Sequence, residues 1–297
     1  MTREAIHIPD RGIDHLVLAV ADLDGAARDY GRLGFTVTPR AAHPWGTANQ
    51  LVQLQGSFLE VLEIAEPEKI MPPGPGEFSF GAYLRDYAAR REGCAMLVFE
   101  SKDARADRDL FAARGLPDLA PFDFERQATL PDGSTARVAF SLAFAPPPET
   151  PEAVFFTCQQ HAPDLFWKPA YQVHPNTAQT VEEVVMIAEE PARLRPTLEK
   201  LQVPEAVSES PEGLTCETRR GRVRVLTPDA HADWYGEAAA ADAPDTPHFS
   251  AMRIGVSDLD RARSLLSETG VETRWARAGL IVPSVSVHGC VLAFAQV

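Results

Sequence analysis

The sequence predicts an α+β protein assembled from four βαβββ units. Two observations carry that expectation: an aspartate-opened, glycine-closed helix recurs at fixed offsets along the chain, and strand-like apolar runs flank each copy.

The first unit is the clearest. Residues 13–20 (IDHLVLAV) form an apolar run of strand character. Asp22 then stands where a helix N-cap belongs and Gly34 where a left-handed closing residue belongs, which brackets a helix over 25–33. Three strands are expected next, at 35–38, 48–54 and 58–64, the last two joined by a tight Gln55-Gly56 turn. Within the unit, the strand at 13–20 is expected to run antiparallel to that at 58–64.

Asp22 and Asp258 stand 236 positions apart, and so do Gly34 and Gly270. Asp103 and Gly115 repeat the pair at an offset of 81. A weaker copy opens with the run 181–188 and with Glu190-Pro191, proline being well placed in a first helical turn. Its offset is 168, and Gln202 replaces the closing glycine. The units thus begin near residues 13, 94, 181 and 249. In the last of them strands are expected at 271–276, 280–283 and 285–295, with His288-Gly289 as a turn or bulge. Between these elements lie a loop at 64–75, a connecting helix at 80–91, a proline-rich loop at 146–152 and a flexible link at 234–247. The best boundary falls in 162–180, giving one domain over 1–162 and a second over 176–297.

A length of 297 residues suits two domains that each bury a core, and 45% hydrophobic with 24% charged residues is ordinary globular composition. The net charge of −14 argues against a nucleic-acid partner, because nothing could neutralise a run of phosphates. Residues 1–9 lack the apolar core of a signal peptide, and no apolar run reaches membrane-spanning length. The dispersed cysteines Cys94, Cys158, Cys216 and Cys290 read as buried core residues in a reducing compartment. The expectation is a cytoplasmic protein with a small molecule as its partner, no membrane contact, and possible homodimers.

A βαβββ unit that opens with Asp-His-Leu-Val-Leu-Ala-Val and carries Phe-Leu-Glu-Val-Leu on its last strand resembles the vicinal oxygen chelate superfamily. That group includes glyoxalase I, extradiol dioxygenases, and fosfomycin and bleomycin resistance proteins. The segments HPWGTANQL (43–51), FFTCQQH (155–161) and His174-Pro175-Asn176 further resemble its glyoxalase-like branch. The resemblance implies that units pair into two open, cup-shaped mixed β-barrels. It also implies a divalent metal (zinc, nickel, manganese or iron) held by residues on the first and fourth strands of paired units.

Carried over by position, these places fall on His15 and Glu60 in the first unit, Met96 in the second, Glu183 in the third, and Ala251 and Ala293 in the fourth. Imidazole and carboxylate both suit such an ion. On the fourth strand of the second unit, alternation puts Phe155, Thr157, Gln159 and His161 on one face. Turning that face into the cup completes a metal set of His15, Glu60 and His161, with Gln159 as a further ligand or hydrogen-bond partner. Glu60 would double as the catalytic base. His43, Trp45, Asn49 and Trp167 complete the candidate substrate-binding residues.

Each of these residues also has a plainer reading. His15 could be a hydrogen-bonded histidine at a strand start, Trp167 a core cap, and the arginines 219, 220, 222 and 224 a solvated strand edge, as against a site for an anionic substrate or a contact between domains. The second half, with alanine at two ligand places and no evident partner for Glu183, is expected to be structural: a cover for the active cup or a dimer interface. Three functions stay open. One is a metal-dependent lyase or isomerase acting on an oxygen-rich small molecule. The others are a metal-free sequestering protein of the bleomycin-resistance kind and an extradiol-type dioxygenase.

Overall fold

The computed structural model describes residues 11–129, 135–236 and 245–297. The expectation for residues 1–9, and most of the link at 234–247, lie outside the described residues.

The first unit runs β1 (Ile13–Ala19), α1 (Leu23–Arg32), β2 (Ala41–Ala42), β3 (Thr47–Gln53) and β4 (Phe58–Ile64). The Asp22 carboxylate accepts from the Gly25 N–H, Gly34 closes the helix at φ +85°, and Leu23, Ala26 and Tyr30 bury one face of α1. The strand expected at 35–38 is a connection instead. Only Thr38 pairs with β3, exchanging bonds with Leu51 through its N–H and its hydroxyl. Pro39 follows and has no N–H to continue a ladder, so the edge strand shrinks to two residues.

Helix α2 (Phe80–Ala88) leads to the second unit: β5 (Gly93–Glu100), α3 (Ala104–Ala113), β6 (Phe122–Thr129), β7 (Thr135–Ala145) and β8 (Val154–Gln160). After a short helix, α4 (Pro163–Phe166), the third unit comprises β9 (Ala178–Ile187), a 3-10 turn over Pro191–Leu194, α5 (Arg195–Leu201), β10 (Val207–Ser210), β11 (Gly213–Glu217) and β12 (Arg222–Leu226). Helix α6 (Pro228–Tyr235) precedes the fourth: β13 (His248–Val256), α7 (Leu259–Glu268), β14 (Arg274–Ala276), β15 (Gly279–Val282) and β16 (Val291–Gln296). Asp103 and Asp258 cap α3 and α7 as Asp22 caps α1, and Gly115 and Gly270 close them at positive φ. Gln202, which cannot take that conformation cheaply, ends α5 at φ −118°. The expected last strand loses its first residues to a 3-10 turn at Ser284–Ser286 and to a turn in which His288 and Gly289 both have positive φ.

Two eight-stranded mixed sheets result, in the orders β2-β3-β4-β1-β5-β8-β7-β6 and β10-β11-β12-β9-β13-β16-β15-β14. Each is a pair of units joined antiparallel at its centre, through β1–β5 and β9–β13. Inside a unit, β1 and β4 are parallel, which corrects the antiparallel expectation. The helix crossover returns the chain to the end where β1 began, and two hairpins then reverse it twice, so the fourth strand points the same way as the first.

Side chains alternate between two cores. Val17, Phe58, Leu62, Met96, Val98 and Phe156 face the concave side of the first sheet, beneath α2. Leu16, Leu18, Leu59, Val61, Leu97 and Phe155 face the other way and share a core with Val184, Met186, Phe249 and Leu292 of the second sheet. Ring pairs Phe155–Phe249 at 5.5 Å and Phe35–Phe294 at 5.8 Å join the halves. The second half therefore backs the first sheet and leaves its cup uncovered. Arg219 and Arg220, read from sequence as a solvated edge, reach Glu100 of the first half. All four cysteines are buried and none is in a disulfide.

Candidate functional site in the first cup

The concave side of the first sheet holds a cavity of about 470 Å³, counted out to its mouth. Strands β1, β3 and β4 bring His15, Asn49, Leu51, Phe58 and Glu60 to it, and the β2–β3 turn adds His43 and Trp45. The rest of the lining comes from Phe80 on α2, Phe124 and Arg126 on β6, Phe140 and Leu142 on β7, Phe156 and Cys158 on β8, and Phe166 on α4. Seven of these side chains are aromatic, so the polar groups act in a largely dry cup.

His15 and Glu60 lie on neighbouring strands, His15 opposite Phe58 and Glu60 two residues further along the same face. The His15 ring stacks on Phe58 at 4.3 Å, and its Nε2 stands 3.7 Å from a Glu60 carboxylate oxygen. Its other nitrogen, Nδ1, is 2.7 Å from Asp14. Adjacent residues of a regular strand point to opposite faces, yet Asp14 and His15 meet. A register shift in the β1–β5 ladder between Ile13 and His15 leaves Asp14 without a ladder partner and turns it beside the imidazole. Gln160 donates to the other Asp14 oxygen at 3.0 Å, so β8 steadies the carboxylate that steadies His15.

His43 is held by Thr47, whose hydroxyl is 2.8 Å from Nδ1, and stacks on Trp45 at 4.6 Å. Its Nε2 lies 3.9 Å from Glu60 and 3.4 Å from the Asn49 amide nitrogen. That nitrogen also donates to Glu60 at 2.5 Å. Burial lowers the His43 pKa to about 4, against a smaller opposing pull from Glu60, so the ring is neutral near pH 7. Burial likewise lowers the Arg126 pKa, and the Glu60 charge works in the other direction. Two imidazoles thus aim Nε2 at one carboxylate, each anchored through its other nitrogen.

His15, His43, Trp45, Asn49 and Glu60 come together as the sequence suggests, whereas His161 and Gln159 do not. Strand β8 turns Phe156 and Cys158 into the cup, the opposite face from the one expected. Aromatic residues occur on both faces of β8, since the outer face is buried against the second half, and composition therefore could not separate them. His161 is exposed and bonds the Ser141 hydroxyl at 2.8 Å. Gln159 ties the start of α3, accepting from the Ala104 N–H and donating to the Lys102 carbonyl. Trp167 packs against Phe58 and Phe166 behind the wall, and it is Phe166 that reaches the cavity. His174 is a staple between Thr36 and Gln53.

Asp14, Gln160 and Arg126 escaped the sequence reading. The first two depend on a bulge that leaves no signature in the residues, and Arg126 depends on β6 folding over from the far edge of the sheet.

Among the described residues no three His, Cys, Asp or Glu side chains form a ready metal cluster. No helix among them is long and apolar enough to cross a membrane.

Fold and cup define a protein of the paired βαβββ, vicinal oxygen chelate class. The model of the glyoxalase-like domain matches residues 13–202, and the chain belongs to that family. Among solved structures, a hypothetical protein from Staphylococcus aureus is similar over 97% of this chain and 100% of its own, with a TM-score of 0.65 at 13% identity. A mutant 4-hydroxymandelate synthase from Streptomyces coelicolor aligns over 97% of this chain and 92% of its own, with a TM-score of 0.57 at 14% identity. A xylose isomerase-like TIM barrel/4-hydroxyphenylpyruvate dioxygenase fusion protein aligns over 90% of this chain and 40% of its own, with a TM-score of 0.51 at 14% identity. At such identities the likeness is one of fold. No curated protein matches in sequence.

Proposed function

We propose that the protein is a metal-dependent, glyoxalase-like enzyme of the lyase or isomerase type, acting on a small oxygen-bearing molecule in the first cup. The observation that carries this reading is the convergence of the His15 and His43 Nε2 atoms on Glu60, at 3.7 and 3.9 Å. Three lone-pair donors in a buried aromatic cup call for a cation among them. Donors each about 2.0–2.2 Å from one ion stand roughly 3 to 4 Å apart, and both spacings to Glu60 lie in that range, so an ion would need the three side chains to close on it from where they stand. The Asp14–His15 contact is of the kind that orients metal-bound imidazoles.

His15, His43 and Glu60 would hold the ion. Bound there, it would polarise substrate oxygens and stabilise the charge that develops on them. Asp14 and Gln160 hold the His15 ring in one orientation, Thr47 holds His43, and the aromatic walls exclude water. The Glu60 carboxylate, freed on one oxygen, can accept a proton from carbon beside a polarised oxygen. The buried cysteines outside any disulfide support a reducing compartment such as the cytoplasm.

A specific observation favours the metal-free sequestering alternative: the Asn49 amide already touches both Glu60 and His43 and must turn aside for an ion. With His161 outside the cup, an extradiol-type oxygenase would have to hold ferrous iron with the same His15, His43 and Glu60 set. Elemental analysis after loading with zinc, manganese, nickel or ferrous iron, followed by gel filtration, separates the two main readings. One ion per chain is expected in the parent, and none in His15→Ala or Glu60→Ala proteins that remain folded. A parent that retains none of the four metals leaves the sequestering cup as the function.

A further inference from the structure

The polar atoms of the cup that no protein group satisfies describe the ligand that would satisfy them. Arg126 extends from β6 on the same face as Phe124, and both line the cavity. Among the described residues no side chain hydrogen-bonds its guanidinium. Its charged neighbour is Glu60, already engaged by Asn49 and faced by two imidazoles. A partly buried cation without a bonded counter-ion costs stability, and an anionic ligand would offset that cost.

Two further unpaired atoms belong to residues that line the same cavity. Asn49 is 3% exposed; its amide nitrogen is used, but its Oδ1 is buried without a hydrogen-bond partner. The Trp45 Nε1 is also buried without one. The cup thus offers donors from Arg126 and Trp45 and one acceptor from Asn49. The remaining wall is ring faces, including Phe124 and Phe140 stacked at 5.0 Å and Phe58 against His15. A wall made of ring faces around a few polar groups suits a compact ligand with one ring.

We propose that the first cup binds an aryl carboxylate carrying a hydroxyl beside its acid group: Arg126 receives the carboxylate, Asn49 Oδ1 accepts from the hydroxyl, and the aromatic wall stacks on the ring. The inference rests on the first cup being the substrate site, and it stands without the metal. Arg126 is the specificity-determining residue for the acid. Its removal discriminates against anions and leaves uncharged aromatic ligands as they were, which a purely structural arginine would not do.

Titration calorimetry of the EDTA-treated full-length protein tests this with three single-ring probes: mandelate (acid and hydroxyl), phenylacetate (acid alone) and 1-phenylethanol (hydroxyl alone). Mandelate is expected to bind at least threefold tighter than phenylacetate, and both at least tenfold tighter than 1-phenylethanol. Arg126→Gln should weaken both acids tenfold or more without changing the alcohol, and Arg126→Lys should restore part of the loss. Equal affinity for acids and alcohol overturns the proposal, as does acid binding indifferent to Arg126→Gln or no binding of either acid. Should Arg126→Gln fail to fold, the parent's preference for acid over alcohol, and its weakening by salt, still decide the matter. Metal analysis of the same protein keeps the outcomes separable: acid selectivity without a retained ion supports the ligand class and refutes the metal, and the converse does the reverse.

Discussion

The two cups share one register and differ in what they place at its key points. In the first, His15 pairs with Phe58, and Glu60 follows two residues on; in the second, Glu183 pairs with Arg222, and Arg224 follows two residues on. The first cup therefore sets lone pairs against lone pairs, whereas the second sets a carboxylate against guanidinium groups. Glu183, expected to lack a partner, accepts from Arg222 and from the Tyr235 hydroxyl, both at 2.7 Å, with Arg224 at 3.7 Å. Helix α6 delivers Tyr235 into that cup, and Trp234 beside it lies between the Arg224 and Arg277 guanidiniums at 4.2 and 4.0 Å. One cup has its carboxylate paired by its own chain. The other is incomplete and hollow, which is the condition for binding something.

The contrast makes opposite demands on substitution. Removing the buried Glu183 takes the partner from the half-buried Arg222 and from the buried Tyr235 hydroxyl, so Glu183→Ala should cost about 3 kcal/mol in urea unfolding. Glu60→Gln should stay within about 1 kcal/mol, because Glu60 faces a cavity rather than a filled network. Equal losses at the two positions would break the comparison.

A smaller effect tests the first cup by pH. The unfolded chain protonates His43 near the ordinary value of 6.5, and the folded protein resists until about 4. Acid therefore favours the unfolded state across that window, and stability falls as pH drops through it, by about 3 kcal/mol in all. In EDTA-treated protein, His43→Gln should flatten this part of the stability profile relative to the parent. A profile left unchanged would show that His43 is not held neutral.

The smallest effect returns to the second cup. Tyr235→Phe deletes one hydroxyl from a carboxylate that keeps its arginine, so a loss of about 1–2 kcal/mol is expected. A larger loss in denaturant unfolding would mean that the tyrosine, rather than the ion pair, holds α6 in place.

The repeat was legible because local chemistry writes it. Aspartate caps at 22, 103 and 258 and left-handed glycines at 34, 115 and 270 satisfy helix ends regardless of what surrounds them, so their offsets reveal the units. The pairing of His15 with Glu60 was legible for a related reason: each has a fixed place on a strand, and the unit makes those strands neighbours.

Three things were settled only by tertiary structure. Alternation along β8 separates Phe156 and Cys158 from Gln159 and His161, but which set turns inward depends on packing, and here the second half buries the outer face. The meeting of Asp14 with His15 needs a bulge, an irregularity of pairing between strands that neither strand encodes alone. Arg126 enters the cup because β6, last in the sheet order, curls back toward β2 and β3. The sequence by itself determined the units, their caps and two of the site's donors, since these follow from nearest neighbours along the chain. Folding decided which face is the inside, because a period of two states that faces alternate and never states which one is buried.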